Sequence, residues 1–199
     1  MDDRTRRTQD EYDRNAAGYD RSAWLERYLI GDSRALLCGQ AIGRTLEVAI
    51  GTGLNLEHYP RDVQLTGIDL SAGMLSVAAK RASVNQVGVT LVHGDAQRLP
   101  FRDASFDTVL CTLSLCAVPD QAAAVAEMHR VLVPGGQLLL MDHVEYARIP
   151  MKWLERWRTR LHDRRQRPLD VVRRQGFEID RLDRLTLGFV DRIVAHHPG

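Results

Sequence analysis

The chain has 199 residues, 44% of them hydrophobic and 27% charged, a balance that suits one globular domain and excludes a disordered or fibrous chain. No run approaches the roughly 18 apolar residues that cross a bilayer, and the first 30 residues open on Asp2, Asp3, Arg4, Arg6 and Arg7 without an apolar stretch. The net charge of +1 excludes no partner class, and the expected location is cytoplasmic.

A helical N-terminal region, residues 1–35, precedes the first strand-like run, Arg44–Ile50 (RTLEVAI). Gln64–Leu70, Val89–Gly94, Phe106–Leu113 and Gln137–Val144 follow with the same character. Between them, Ser71–Val84 opens on an N-cap serine and repeats Met74, Leu75, Ala78 and Ala82 on one helical face. Asp120–Leu132 repeats Ala123, Ala124, Met128 and Leu132 before the breaker Val133-Pro134-Gly135-Gly136. Strands alternating with helices, several of them near-continuous apolar runs, predict an α/β fold with a mainly parallel sheet. The end changes character. Met151–His162 reads as a basic amphipathic helix and Leu169–Gln175 as a second, stopped by Gly176. Phe177–Leu185 and Phe189–Ala195, joined at Gly188, predict an antiparallel hairpin that brings the strands to seven. The expectation is one domain over residues 1–199, with residues 1–35 as a helical lid and 148–175 as a basic cap.

The first strand runs into Glu47-Val-Ala49-Ile-Gly51-Thr52-Gly53-Leu-Asn55, a glycine turn that lets backbone approach a nucleotide-like ligand. The second ends in Asp69, where a carboxylate can accept from both ribose hydroxyls, and the third in Gly94-Asp95-Ala96. A dinucleotide fingerprint would place its third glycine at position 56, which is Leu56. S-adenosylmethionine has no pyrophosphate and needs no such glycine, and Glu47 suits a ligand with an amino-acid ammonium. The methyl donor is the expected cofactor.

The strings LEVAIGTGLNLEHYP, GIDLS, HGDAQRLPFRDASFDTV and VLVPGG resemble class I S-adenosylmethionine-dependent methyltransferases, within the type 11 group that includes quinone-biosynthesis C-methyltransferases. CTLSLCAVPDQ and LLLMDHV are similar to bacterial phospholipid N-methyltransferases and to methyltransferase-like thiol S-methyltransferases. The resemblance implies a Rossmann-like seven-stranded sheet with a helical cap. It implies that Glu47, Gly51 and Gly53, with Ala49 and Asn55 in the same motif, wrap the methionine part, Asp69 the ribose, and Asp95 and Ala96 the adenine. Leu70 and Met74 would flank the adenosine, Thr112 or Leu113 line the methionine end, and Tyr12 and Tyr19 close over the cofactor. Ala49 stands where the family usually has glycine, a methyl group expected to be tolerable in the strand.

The acceptor site is less legible. Leu113–Pro119 carries no carboxylate, histidine or lysine, which leaves an apolar pocket including Ser114 and Cys116. His143 at the end of strand five is the general-base candidate, against the alternative of a backbone-bonded strand-end histidine, and Tyr19 can touch both ligands. Cys38, Cys111 and Cys116 read as packing residues, and no metal site is expected. Trp153, Leu154, Trp157 and Leu161 share one face of the basic helix, which would pack over the pocket or a subunit partner, or else lie on a membrane. Ten Lys/Arg against three acids between Arg148 and Arg174 give that block about +7, a charge that could meet an anionic membrane surface at the inner face. No nucleic-acid module accompanies it. The expected enzyme methylates a small or lipophilic acceptor, first a phospholipid amine headgroup. The alternatives are a thiol, a quinol or natural product, and a non-enzymatic cofactor-binding regulator.

Overall fold

The computed structural model describes residues 1–22, 30–144, 167–185 and 189–199. The helix expected at 151–161, with Trp153 and Trp157, and the turn at Gly188 lie outside the described residues. Helix α1 (Asp3–Asn15) is capped by Asp2, whose carboxylate accepts the Thr5 N–H, and it continues into a 3-10 segment, Ala16–Ser22. After α2 (Ser33–Cys38) come β1 (Arg44–Val48), β2 (Gln64–Asp69), α3 (Ala72–Asn85), β3 (Val89–His93) and β4 (Phe106–Thr112). Then follow α4 (Gln121–Val131), β5 (Leu132–His143), α5 (Pro168–Arg174), β6 (Glu178–Leu185) and β7 (Val190–His196). The helix starts are where cap chemistry puts them: Ser71 Oγ accepts from Met74 N at 3.0 Å, and Asp120 from Ala123 N at 3.0 Å.

The seven strands lie in one sheet, order β3-β2-β1-β4-β5-β7-β6. The first five are mutually parallel, and β7 runs antiparallel to both β5 and β6. This is the expected Rossmann-like sheet with its closing hairpin. Strand order reverses between β1 and β4, and in an open α/β sheet such a reversal opens a crevice at the carboxyl ends of the strands. One core packs Leu46, Val48, Val109, Cys111, Leu138, Leu140 and Ile193 under α4 and α5, and a second sets Leu37 and Cys38 against Leu110, Leu139 and Met141.

Three expectations change. Val133-Pro134-Gly135-Gly136 falls within β5 rather than before it: Phe106 pairs with Leu132, the register shifts, and Thr108 pairs with Gln137. Gly135 N–H donates to His197 O and His197 N–H to Gly136 O, so the bulged residues stay tied to the sheet. Of the expected cap the described part is α5, and its Leu169, Val171 and Val172 are buried in the main core rather than set over the crevice. The same holds for the expected lid. Ile30, Leu37 and Cys38 belong to the second core, and among the described residues of that segment it is Thr8, Tyr12 and Tyr19 that line the crevice.

Candidate active site

A cleft of about 670 Å³, open solvent at its mouth included, occupies the crevice. Its walls include Tyr12 and Tyr19 from the N-terminal segment, Ala49 and Gly51 from the turn after β1, and Asp69, Leu70 and Met74 after β2. Asp95 and Ala96 follow β3, and Leu113 and Ser114 follow β4.

The turn after β1 needs left-handed backbone. Gly51 sits at φ +58° and Gly53 at +79°, and a Cβ on Gly53 would lie 2.7 Å from Leu56 Cδ1. Ala49 corrects the expectation of a harmless methyl in a strand: β1 ends at Val48, and Ala49 has φ +55°. A left-handed alanine costs about 1–2 kcal/mol. Leu113, also lining the cleft, sits at φ +53°, so two non-glycine residues store strain in its walls.

Asp69 is 8% exposed and accepts from Gly51 N at 2.7 Å and Ser71 N at 2.8 Å, one bond per oxygen. Burial raises its pKa, opposed by those two backbone bonds. Each oxygen keeps a lone pair for a ligand. Asp95 is held differently, by the Gln97 backbone N–H and the Gln97 amide at 2.9–3.0 Å. Gln97 also reaches Thr5 Oγ1, and its carbonyl accepts from Asp120 N, which joins α1 to the β3 end and the α4 cap. The sequence reading missed Gln97, although it follows the GDA motif by one residue.

Glu47, Gly53, Asn55 and Thr112, expected around the ligand, are absent from the cleft wall. Glu47 is 2% exposed; its oxygens accept from Asn55 Nδ2 at 2.7 Å and Tyr59 OH at 2.8 Å. Asn55 also donates to Thr112 Oγ1, and Arg34 donates to both Asn55 Oδ1 and Thr112 Oγ1. Burial pushes Glu47 up to about 7 against these hydrogen bonds and the Arg34 charge. The group is a polar floor under the turn. Arg34 and Tyr59 were not foreseen, because neither lies in a glycine or strand-end motif.

The N-terminal segment is fastened at two carboxylates. Asp13 accepts from Ser71 Oγ and from Gly73 N at 2.9 Å, bonds that lower its pKa. Asp20 accepts from Thr52 Oγ1 at 2.7 Å and Arg81 Nη2 at 2.6 Å. Tyr12 and Tyr19 meet at 6.0 Å between ring centroids, and burial raises the Tyr12 phenol above its ordinary pKa.

Cys116 and His143, expected at the acceptor pocket, do not line the cleft; next to it, Cys116 N donates to Asp142 Oδ2 at 2.9 Å and His143 N to Asp142 Oδ1 at 2.6 Å. His143 Nδ1 lies 3.5 Å from Asp142 Oδ1 and 3.9 Å from Cys116 Sγ. Two outcomes differ from expectation. Cys38 and Cys111 are buried packing residues, but Cys116 is half-buried beside an imidazole and a carboxylate. Where no metal site was expected, three ligand-type atoms converge within 4.8 Å of one another.

A family model described as a methyltransferase domain matches residues 46–140. A demethylmenaquinone methyltransferase of Deinococcus radiodurans is 40% identical over 102 residues, 50% of this chain and 42% of that one. A phosphatidylethanolamine N-methyltransferase of Cereibacter sphaeroides is 38% identical over 118 residues, 57% of each. The chain thus spans about half the length of these curated relatives. The structure of phosphoethanolamine N-methyltransferase 2 from Haemonchus contortus, in complex with S-adenosyl-L-methionine, superposes with a TM-score of 0.70 at 17% identity, over 85% of this chain and 53% of that one. That likeness is one of fold.

Proposed function

We propose that this chain, whose residues 46–140 carry a methyltransferase domain of the class I type, binds S-adenosylmethionine in the cleft and methylates a small or lipophilic acceptor. The observation that carries the reading is the pair of carboxylates, Asp69 and Asp95, at neighbouring strand ends in one cleft with Leu70 and Met74. When bound, the donor supplies an electrophilic methyl on a sulfonium. The chain supplies the rest. Asp69 accepts two hydroxyls with its remaining lone pairs, Leu70 and Met74 pack on a planar base, and Asp95 with Ala96 meets the base's polar edge. Tyr12 stays a neutral phenol at physiological pH and, with Tyr19, excludes water from that half of the cleft.

For the acceptor we favour a phospholipid amine headgroup, phosphatidylethanolamine. Three things support it: the Cereibacter relative, the apolar Leu113–Pro119 wall, and the +7 block between Arg148 and Arg174. An alkylammonium must lose a proton before it attacks, and His143 takes it at Nε2, since Nδ1 faces Cys116 and Asp142. In-line displacement then depends on positioning. A quinol acceptor is the second reading, favoured by the Deinococcus relative. Neither has weight until a donor-site ligand binds. Calorimetry with S-adenosylhomocysteine tests the donor. Product release with vesicles of phosphatidylethanolamine mixed with an anionic phospholipid at two salt concentrations, a demethylated menaquinol and a simple alkyl thiol tests the acceptor. Methylated phosphatidylethanolamine, formed less well at high salt because surface charge is screened, supports the lipid amine. Methylation of the thiol or quinol alone overturns it. Binding without turnover on any of them leaves the regulatory module.

A further inference from the structure

Asp142 is fully buried and belongs to no part of the donor cleft. Its hydrogen-bond donors are two peptide N–H groups, and among the described residues no lysine or arginine pairs with it. A buried carboxylate in that position calls for a cation. Among the described residues, the side chain that stands beside it is the imidazole of His143, 52% exposed.

The distances define what else could fill the place. A tetrahedral zinc-type ion, with bonds of about 2.3 Å to sulfur and about 2.0–2.2 Å to nitrogen and oxygen, sets its ligands apart by about 3.6 Å for sulfur to nitrogen and about 3.4 Å for nitrogen to oxygen. The corresponding separations are 3.9 Å from Cys116 Sγ to His143 Nδ1 and 3.5 Å from His143 Nδ1 to Asp142 Oδ1. Both are within a few tenths of an ångström of those values. Cys116 sits on the 3-10 turn Leu115–Ala117, whose Ala117 lines the cleft, so the three side chains lie next to the cleft without lining it. A soft thiolate, an imidazole and a carboxylate form a donor set suited to a borderline-soft divalent ion and poor for magnesium or calcium.

We infer that Cys116, Asp142 and His143 form a binding site for a thiophilic divalent cation of the Zn²⁺ type, and that its occupancy silences His143. On binding, the Cys116 thiol gives its proton to solvent and the sulfur bonds the metal. An imidazole bound through Nδ1 carries its proton on Nε2 and cannot accept another. The inhibitory half rests on the proposed role of His143; the binding half does not.

The test uses the full chain, freed of metal by a chelator and then titrated with Co²⁺ or Zn²⁺ alone. One Co²⁺ per chain should give thiolate-to-metal charge-transfer absorption with the d–d bands of a tetrahedral ion. Zn²⁺ should displace it. Cys116→Ser should remove the charge-transfer band, and His143→Ala should weaken binding by about 10–100-fold or more, the loss that even outer partners of metal ligands produce. Thermal melting of each variant excludes a folding failure, and the wild-type titration stands without either variant. No charge-transfer band in the wild type, or the same band in folded Cys116→Ser, overturns the site. Stoichiometric binding with turnover unaffected by Zn²⁺ keeps the site and overturns the silencing of His143. Inhibition by Zn²⁺ that persists in Cys116→Ser overturns the assignment of the inhibition to this site.

Discussion

Asp69 and Asp95 face the cleft with protein donors already on their oxygens, and Glu47 beneath them is closed off by Asn55 and Tyr59. On the far side of the cleft the wall is mostly apolar, with Leu113, Ala117, Val118 and Pro119, and His143, beside Cys116 and Asp142, stands behind that wall rather than in it. The difference teaches where rigidity is needed. A ligand with many polar groups is matched by carboxylates fixed in advance, so little ordering is left for the binding step. An apolar wall offers mainly shape and few fixed polar partners.

The largest expected effect would separate the two halves outright. With chelator present and an amine acceptor, His143→Ala should lower the rate by about 10²–10⁴-fold and leave S-adenosylhomocysteine affinity unchanged. Equal losses of rate and affinity would show that the halves are one unit. Glu47 tests the floor on the other side. A free glutamate ionises near 4.5, whereas the folded chain keeps Glu47 protonated until about 7. The folded state therefore holds the extra proton between those values, and stability should fall as pH rises through them and then level off. The full contribution is about 3 kcal/mol. Urea unfolding at about pH 5 and about pH 8 should show this dependence in wild type and a flatter one in Glu47→Gln.

Asp69→Ala should weaken S-adenosylhomocysteine by about 1–3 kcal/mol, because the ligand's hydroxyls and the Gly51 and Ser71 N–H groups all lose their acceptor. Asp69→Asn, which keeps one oxygen, should lose less, and calorimetry ranks the two. The smallest effect belongs to Ala49. Glycine relieves about 1–2 kcal/mol of left-handed strain and returns about 0.4–1 kcal/mol of unfolded-chain entropy, so Ala49→Gly should stabilise by between about 0 and about 1.6 kcal/mol. A rise of roughly 1–3 °C in Tm would agree; a fall would mean that the alanine methyl packs against something the turn requires.

What could be read beforehand follows the range of the forces involved. Strand ends at Asp69 and Asp95, the Ser71 and Asp120 caps and the order of elements depend on neighbours a few residues away, and alternation and cap chemistry reveal them. The bulge at Val133–Gly136 escaped because its hydrogen bonds go to His197, which no local pattern announces. Cys116 and Asp142 are 26 residues apart and meet only because β4 and β5 run parallel in register, Thr112 opposite Met141. Arg81 and Asp20 are 61 apart. Ala49 is a different case. Its place was evident, but its backbone angle is imposed by the turn and opposes its own preference.

The fastening of residues 1–22 has a consequence in time. Asp13 closes on Ser71 and Gly73, Asp20 on Thr52 and Arg81, Thr5 on Gln97 and Gln9 on His93, so these hydrogen bonds all end on the β1–β3 side of the crevice. Releasing these bonds would open the cleft from that side. If a ligand must pass there, a slow release would set the turnover interval even where methyl transfer itself is fast.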